Sequence, residues 1–546
     1  MTTTGFRGWT LAALVGALLL AGCGKKAAPD AAADASPPVA GGELVFAFDG
    51  AVNTSFALDP HRSPYAPHNR IMRSVFDSLV VLLPGNRIGP WLASSWVVSP
   101  DGRSTTFKLR QDVSFHDGTR FDAAAVKANL ERIRDPKNAL FAAADLGPFS
   151  GATVIDDFTV RLDFAKPFAP LLAQLSKTNF GLISPAALAQ WGDQIGAHPV
   201  GTGPFKVLSI TPGTEVVTER FEPYRWAPAG AAHSGPAWLA RLVFKNVPEE
   251  ATRVAVLRNG QALAANLIPP QNLLPLRADP SLRVVEGELV NHNYALFLNS
   301  QRAPWNDLRL RTAFRQALDL DAAVKTIYLG TAARAWSPLS PGLLGYDKTL
   351  ENSWRSDPAA ARAALDALGW RPGADGVRVK DGQRLTVVFL DSQGNREKRL
   401  DLLTLLRRQL KDSGFELRIE SQPGGALLDK VRSGEFDLIG ASQFAPDPDV
   451  LRRLYSPNGR NGAAYLKTDD AELTGWLDAA TQALDATERI TLYAKAQHRI
   501  VEAGYAIPVY VLNYNVAHSV RLQGLVIDQH GFPQFQGASL RAQVAP

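Results

Sequence analysis

Residues 115–119, Phe-His-Asp-Gly-Thr, set His116 beside Asp117. A histidine held by a carboxylate is the core of an acid–base relay, and such a relay would make the chain a hydrolase. Local chemistry favours a different reading. Neighbouring side chains in extended chain point to opposite faces, and Asp-Gly is a strong turn dipeptide. The pair therefore reads as a turn. Other chemistry is sparse. No G-x-S-x-G elbow and no H-E-x-x-H pair occur. The nine histidines are scattered, and none sits four residues from another on a helix face. Gly201-Thr202-Gly203 lacks the third glycine of a phosphate loop and runs into Pro204, which favours a rigid turn. No metal site and no cofactor are expected.

The elements that position these residues are legible in places. Residues 104–110 alternate Thr105, Phe107 and Leu109 on one face, a half-buried strand. Asp122 then suits a helix N-cap, with Val126, Leu130 and Ile133 on one stripe and Pro136 as a stop. FHDGT lies between the two. Asp357-Pro358 opens and Gly369 closes a second helix. Further on, 385–390 reads as a buried strand and 395–413 as a Leu-rich helix carrying Leu402, Leu405, Leu406 and Leu410, closed by Gly414. Then come a strand at 415–419, a short helix at 425–433 and a strand at 436–439. This β-α-β-α-β order predicts parallel strands with crossover helices. Ligands of such sheets bind beyond the carboxyl ends of strands. Ser442 to Asp449 (SQFAPDPD) comes after the third strand, and it reads either as a ligand loop or as a solvated Pro-rich connection. Trp91, Trp96, Trp226, Trp336 and Phe444 occur singly; most belong in a core, and a few could line a pocket.

Composition bounds the rest. The 546 residues are 46% apolar and 20% charged with a formal charge of +5, enough for two or three domains and without a basic block for nucleic acid. Arg7 precedes an apolar run, Leu11 to Leu20, of about ten residues, the length of a signal h-region. It ends in Leu20-Ala21-Gly22-Cys23, which resembles the lipobox of bacterial lipoproteins. Residues 1–22 are thus expected to be a signal peptide, Cys23 the lipidated residue, and 23–42 a flexible tether. Cys23 is the only cysteine, so no intramolecular disulfide, Cys nucleophile or Cys-based metal site is available.

One family accounts for nearly the whole mature chain. Residues 90–133, PWLASSWVVSPDGRSTTFKLRQDVSFHDGTRFDAAAVKANLERI, resemble the signature of the bacterial extracellular solute-binding proteins of family 5, the dipeptide, oligopeptide and nickel class. Further matches occur in order: PVGTGPFKV (199–207), ARLVFKNVPEEATRVAVLRNG (240–260), LFLNSQRAPWNDLRLRTAFRQALD (296–319), SDPAAARAALDALGW (356–370) and GEFDLIG (434–440). The resemblance implies that FHDGT is a framework turn and that the protein is no enzyme. It implies an α/β, two-lobed periplasmic-binding-protein fold with a hinged cleft and an extra subdomain in the N-terminal lobe. Lobe I would comprise 43–55, 195–290 and 508–546, the extra subdomain 56–194, and lobe II 291–507. Crossings are expected near Asn291–Tyr294 and Ile507–Tyr510. The implied function is an exported, lipid-anchored receptor at the outer face of a bacterial membrane. It would be monomeric, take short peptides or peptide-like solutes, and pass them to an ABC permease with its ATPases.

The candidate ligand residues are Tyr65, Lys137, Phe141, Asn293, Tyr294, Trp336, Gln443, Phe444, Asp447 and Asp449. Two departures from the family stand out. Peptide binders place an aspartate after the FDLI-like strand to pair the peptide's α-amino group; here Pro446 takes that position, with Asp447 one residue on. Nickel binders resemble the loop in its Ala-Pro, yet some carry a histidine near the position of Val450, and none occurs between His292 and His498. Lys137 to Phe141 keeps an aromatic of that subclass and not its arginine. The competing readings are a receptor for another small solute or metal chelate, a non-transport sensor lipoprotein, and a secreted hydrolase using Asp447 and Asp449 as acids.

Overall fold

The structure, a computed structural model, describes residues 37–541 except 51, 54–56, 393, 460–469 and 512. Cys23 and most of the expected tether lie outside the described residues. The described part opens with strand β1 (Glu43–Phe48) and helix α1 (Ala66–Val75). A four-stranded antiparallel sheet comes next: β2 (Ala93–Val98), β3 (Ser104–Leu109), β4 (Phe149–Asp156) and β5 (Thr159–Phe164), in the order β2-β3-β5-β4. Thr105, Phe107 and Leu109 face its core, as the alternation requires. Helix α2 (Ala123–Arg134) packs on this sheet, and Asp122 caps it by accepting from the Ala125 N–H at 2.9 Å.

Five more strands succeed it: β6 (Phe205–Thr211), β7 (Glu215–Arg220), β8 (Arg241–Asn246), β9 (Ala264–Asn266) and β10 (Leu282–Glu288). Helices α3 (Glu250–Arg258) and α4 (Pro270–Ala278) connect β8 to β9 and β9 to β10. The second half holds β11 (Asn291–Leu298), helices α5 (Leu320–Tyr328) and α6 (Pro358–Ala367), β12 (Thr386–Asp391), α7 (Arg399–Asp412), β13 (Glu416–Ser421), α8 (Gly424–Ser433), β14 (Leu438–Phe444), α9 (Val450–Tyr455), β15 (Ala506–Tyr510) and β16 (Asn513–Ser519).

Two mixed sheets organise these strands. One has seven strands in the order β10-β16-β9-β1-β8-β7-β6, with β1 parallel to both β8 and β9. The other has five in the order β13-β12-β14-β11-β15, with β12 parallel to both β13 and β14. The β-α-β-α-β reading of 385–439 therefore holds. Asp357 caps α6 through the Ala360 N–H, and Gly369 lies just beyond it in the left-handed region at φ +86°. The chain passes from the seven-stranded to the five-stranded sheet between β10 and β11, and returns between β15 and β16.

Some boundaries differ from the sequence reading. The third strand runs on to Phe444, because Gln443 and Phe444 pair in antiparallel register with His292 and Asn291 of β11. The expected loop therefore starts inside the sheet. The Leu-rich helix begins at Arg399, because Glu397 and Lys398 stand in the left-handed region at φ +55° and +59°. Leu402, Leu406 and Leu410 are buried and Leu405 is half-buried. The core of the four-stranded unit runs from Leu79 to Leu182 and takes in Phe221, Tyr224 and Trp226. Ile71, Met72, Val75, Phe76, Ile183 and Ile195 join the core of the seven-stranded sheet instead.

FHDGT is a turn. Gly118 has φ +82°, and Asp117 accepts from the Thr119 N–H and hydroxyl at 3.0 and 2.6 Å. His116 bonds away from its neighbour, with Nε2 2.9 Å from the Gly203 carbonyl and Nδ1 accepting from the Gly201 N–H at 3.3 Å. Burial pushes the pKa of His116 down to about 4, and those of His61 and His292 down to about 3.

These buried groups make stability depend on pH. A histidine with a depressed folded pKa binds a proton in the unfolded chain first, so its contribution is lost as pH falls below about 6.5. Burial pushes Asp77 up to about 7 and Asp528 up to about 6, and these two oppose the trend over the same interval. His530 is also held well below the usual imidazole range by burial, so the histidines dominate. The urea midpoint should fall between about pH 7 and about pH 5. A midpoint that stays level or rises would contradict the assignment of these histidines as neutral.

Candidate functional site

Parallel strands of one sheet end on the same edge, so the segments just beyond those ends are brought together. In the seven-stranded sheet, β1, β8 and β9 end this way. Asp49 lies just beyond β1, Pro248–Glu250 beyond β8, and Leu267–Pro270 beyond β9. In the five-stranded sheet Ser392 and the turn from Gly394 to Lys398 lie beyond β12. These segments face one another across a cavity of about 660 Å3. Tyr328 and Thr331 at the end of α5, and Tyr510, Asn513 and Asn515 from the return crossing, complete its wall. Leu267, Ile268 and Leu273 supply an apolar side.

The turn after β12 is the most shaped part of this wall. Asp391 accepts from the Gly394 N–H at 2.9 Å, and Asn395 Oδ1 accepts from the Leu400 and Asp401 N–H groups at 3.1 and 3.2 Å. Two successive non-glycine residues in the left-handed region cost roughly 1–3 kcal/mol each. Their partners hold them there. Tyr328 donates to the Glu397 carbonyl at 2.9 Å, and Tyr510 and Arg399 both donate to Glu397 Oε2 at 2.8 Å. Glu397 is thereby folded back, while Arg396 and Lys398 reach across. Arg396 Nη2 lies 3.1 Å from Asp49 Oδ2, and Lys398 Nζ lies 2.8 Å from Glu250 Oε2.

Asp49 is the hub on the other side. Its Oδ1 also accepts from Asn266 at 3.0 Å and from Arg70 at 3.3 Å. Burial works to raise its pKa, and Arg396, Arg70 and Asn266 outweigh that effect, so the carboxyl sits below its ordinary value. Glu397 is lowered in the same manner, burial being overcome by Arg399 and Arg396. Arg253 is spent on carbonyls: its guanidinium donates to Val247, Pro248, Asn266 and Leu267, which fixes the ends of β8 and β9. Arg70 covers the ring of Tyr514 at 4.2 Å.

Helices α3, α4 and α7 all begin at this cavity, and their N-terminal N–H groups add partial positive charge. The α3 end is capped by Glu249, and α4 has no side-chain cap. Paired charges of both signs beside an apolar wall suit binding of a small polar solute. No trio of His, Cys, Asp or Glu that could hold a metal occurs among the described residues.

None of the ten candidate ligand residues lines this cavity. Asn293 is buried and donates to the Ser337 and Leu339 carbonyls at 2.9 and 2.7 Å. Tyr294 stacks on Tyr510 at 4.9 Å under the Arg399 guanidinium, so it touches the wall from behind. Its hydroxyl lies over Gly440, where an added Cβ would come within 2.1 Å. Trp336 packs edge-on to Trp354 and under Arg334. Asp447 and Asp449 are buried and committed. Arg489 Nη2 lies 2.6 Å from Asp447, and Asp449 takes Arg452 at 2.7 Å and the Thr481 hydroxyl at 2.9 Å. Phe444 packs on His530 and Phe532. The Gln443 Oε1 is buried with no hydrogen-bond partner among the described residues. Tyr65 is 54% exposed beside His68, Lys137 is exposed, and Phe141 is half-buried at the start of a short 3-10 turn.

Sequence reasoning missed Asp49, Glu250, Arg396, Glu397 and Lys398. A signal was present: the carboxyl-end rule applies to the end of β12 as much as to that of β14, and Arg-Glu-Lys-Arg stands there.

Comparison with known proteins agrees with this architecture. The family model of bacterial extracellular solute-binding proteins, family 5 (middle region), matches residues 87–464, and the chain belongs to that family. It is 29% identical over 507 residues to the glutathione-binding protein GsiB of Salmonella paratyphi A, covering 90% of this chain and 94% of that one. Among solved structures it is similar to NikA of Brucella suis in complex with Fe(III)-EDTA, with TM-score 0.79, 26% identity, and 92% and 100% of the two chains covered. It is also similar to DppA of Helicobacter pylori in complex with the peptide STSA, with TM-score 0.77, 25% identity, and 92% and 98% covered. The fold is thus the two-lobed α/β fold of periplasmic binding proteins. The chain is an exported solute-binding protein of the ABC importer class that works with ABC permeases, and not an enzyme. No helix among the described residues is long and apolar enough to cross a membrane.

The two charge pairs across the cavity make a double-mutant cycle on Glu250 and Lys398 informative. Both side chains are largely shielded, at 27% and 17% exposure. Glu250→Gln, Lys398→Gln and the double variant should show a coupling of about 1 kcal/mol in denaturant unfolding, shrinking with added salt. Additive single effects would mean the pair does not join the two sheets in solution.

Proposed function

We propose that this protein is the extracytoplasmic substrate-binding lipoprotein of an ABC importer, capturing short peptides or peptide-like solutes between its lobes for delivery to the permease. The observation that carries the reading is the cavity walled by strand ends of both sheets, with Asp49–Arg396 and Glu250–Lys398 pairing across it. A solute carrying both an ammonium and a carboxylate can exchange with such pairs without leaving a charge alone. Closure on the solute needs only that its contacts be better when both walls touch it.

The proposed lobes follow the two sheets except at 508–510, which belong to β15 of the five-stranded sheet. Lobe I takes 43–55, 195–290 and 508–546, with 56–194 as its extra subdomain, and lobe II takes 291–507. The two short connections between the sheets act as the hinge. Cys23 carries the lipid, and 24–42 tethers the body to the membrane. The protein acts as a monomer. Glutathione, the ligand in the name of the curated relatives, is a peptide-like solute of the right class and is the first compound to test.

Native mass spectrometry on the gently purified protein, followed by denaturation, reads any passenger directly. Peptide masses, or micromolar binding of glutathione by calorimetry, are expected. A single non-peptide passenger with no binding of glutathione or a dipeptide panel would overturn the peptide reading. Cys23→Ser should move the protein from the membrane fraction to the soluble fraction; an unchanged distribution would remove the anchor.

A further inference from the structure

The four-stranded unit touches the five-stranded side with no covalent link at the contact. The unit is inserted in the chain between β1 and β6, and α1, which leads into it, is buried in the core of the seven-stranded sheet. It is therefore built into that side. The chain joins that side to the five-stranded one through the two connections, between β10 and β11 and between β15 and β16. Contacts elsewhere on the junction are free to break and form as the hinge turns.

Two places carry these contacts. The first abuts a connection. Asn86, at the tip of the hairpin that pairs Val80–Leu83 with Arg87–Pro90, donates to the Gly342 carbonyl at 3.0 Å, and Leu82 joins the apolar cluster of Leu339 and Leu343. Ser340 in turn accepts from the Asn291 N–H at 3.0 Å, at the start of β11. The second place holds no residue of either connection. Ala169 donates its N–H to the Thr481 carbonyl at 2.9 Å. Nearby, Leu484 lies over Gly102: a Cβ added to that glycine would come within 2.8 Å of both Leu484 methyls and 3.2 Å of Pro167 Cβ. Arg453 Nη1 lies 2.7 Å from Asp145 Oδ1 across the same junction, and Lys177 pairs with that carboxylate too.

Both walls of the second place are stiff. Gly102 stands at φ +66° in the turn from β2 to β3, and its N–H donates to the Ser99 carbonyl at 2.9 Å. The Phe164 N–H donates to the Arg103 carbonyl at 2.8 Å, which ties that turn to the segment carrying Pro167 and Ala169. Opposite, Thr481 lies in the last turn of the helix Ala471–Gln482, and its hydroxyl donates to Asp449 at 2.9 Å. Asp485 caps the following helix through the Glu488 N–H at 2.8 Å. Leu484 sits between the two helices, 51% exposed and outside the core of either side.

We propose that this seam is a latch on the hinge: Leu484 docks on the Gly102 turn when the two sides close, and its partial burial helps to hold them together. The proposal rests on the reading of the protein as a hinged receptor. Every contact of the seam is between protein groups, so it favours closure whichever solute is bound, and Leu484 governs how long that solute is kept. One half-covered leucine and one main-chain hydrogen bond make a small contact, which suits a latch that must open at each delivery.

Two variants, one on each wall, test the latch. Leu484→Asp replaces the apolar contact with a charge at a half-exposed site, so the fold is kept. Gly102→Asn retains the left-handed turn, which asparagine tolerates, and puts a side chain where Leu484 docks. Both should raise the radius of gyration of the solute-free protein in small-angle X-ray scattering, with the far-ultraviolet circular dichroism of the wild type. A solute that binds the wild type, glutathione or a dipeptide, should leave either variant roughly three- to thirtyfold faster. A radius unchanged in both variants would overturn the latch, and so would release rates equal to that of the wild type. If the radius rises while neither glutathione nor any dipeptide binds, the latch stands and the peptide reading falls.

Discussion

A carboxylate taken out of water must find cations or N–H donors, and Asp49 finds them on three separate elements. Arg70 comes from α1, Asn266 from the end of β9, and Arg396 from the turn after β12. Two of these belong to the seven-stranded side and one to the five-stranded side. The strand-end chemistry of both sheets is therefore tied to a single charge. Movement of either wall breaks or makes a contact with Asp49, which is the physical content of a hinged cleft here.

The turn that supplies Arg396 shows what such a site requires. Its two left-handed residues are held by Tyr328, Tyr510 and Arg399, and the tyrosines are anchored in the core of the five-stranded sheet, where Tyr294 stacks on Tyr510 and Tyr328 packs on it at a tilt. Arg253 does the same on the opposite side by spending its whole guanidinium on loop carbonyls. These parts of the cavity wall are thus fastened to strands, and Asn513, which donates to the Thr331 carbonyl at 3.1 Å, joins the two charge pairs in reaching across.

The loop most closely associated with ligand in the sequence reading has a structural role to fill as well. Asp447 and Asp449 are neutralised by Arg489 and Arg452. Through Arg489 and the Thr481 hydroxyl they also hold the start of α9 against the helices after it.

The family, the parallel order of β12, β13 and β14, the caps of α2 and α6, and the turn at FHDGT were all legible in the sequence. Each depends on residues close together in the chain: hydrophobic period, cap chemistry and Asp-Gly preference act over a few residues. The sequence did not disclose that Asp49 meets Arg396, that Glu250 meets Lys398, or that Arg453, Asp145 and Lys177 come together. Those residues are far apart in the chain, and their meeting depends on which strand ends lie on a common edge and on how the two sheets face each other. Nor could it tell a committed carboxylate such as Asp447 from an available one, because that distinction is made by an arginine more than one helix away. Local patterns specify elements; tertiary packing alone decides which charges find partners and which remain to bind.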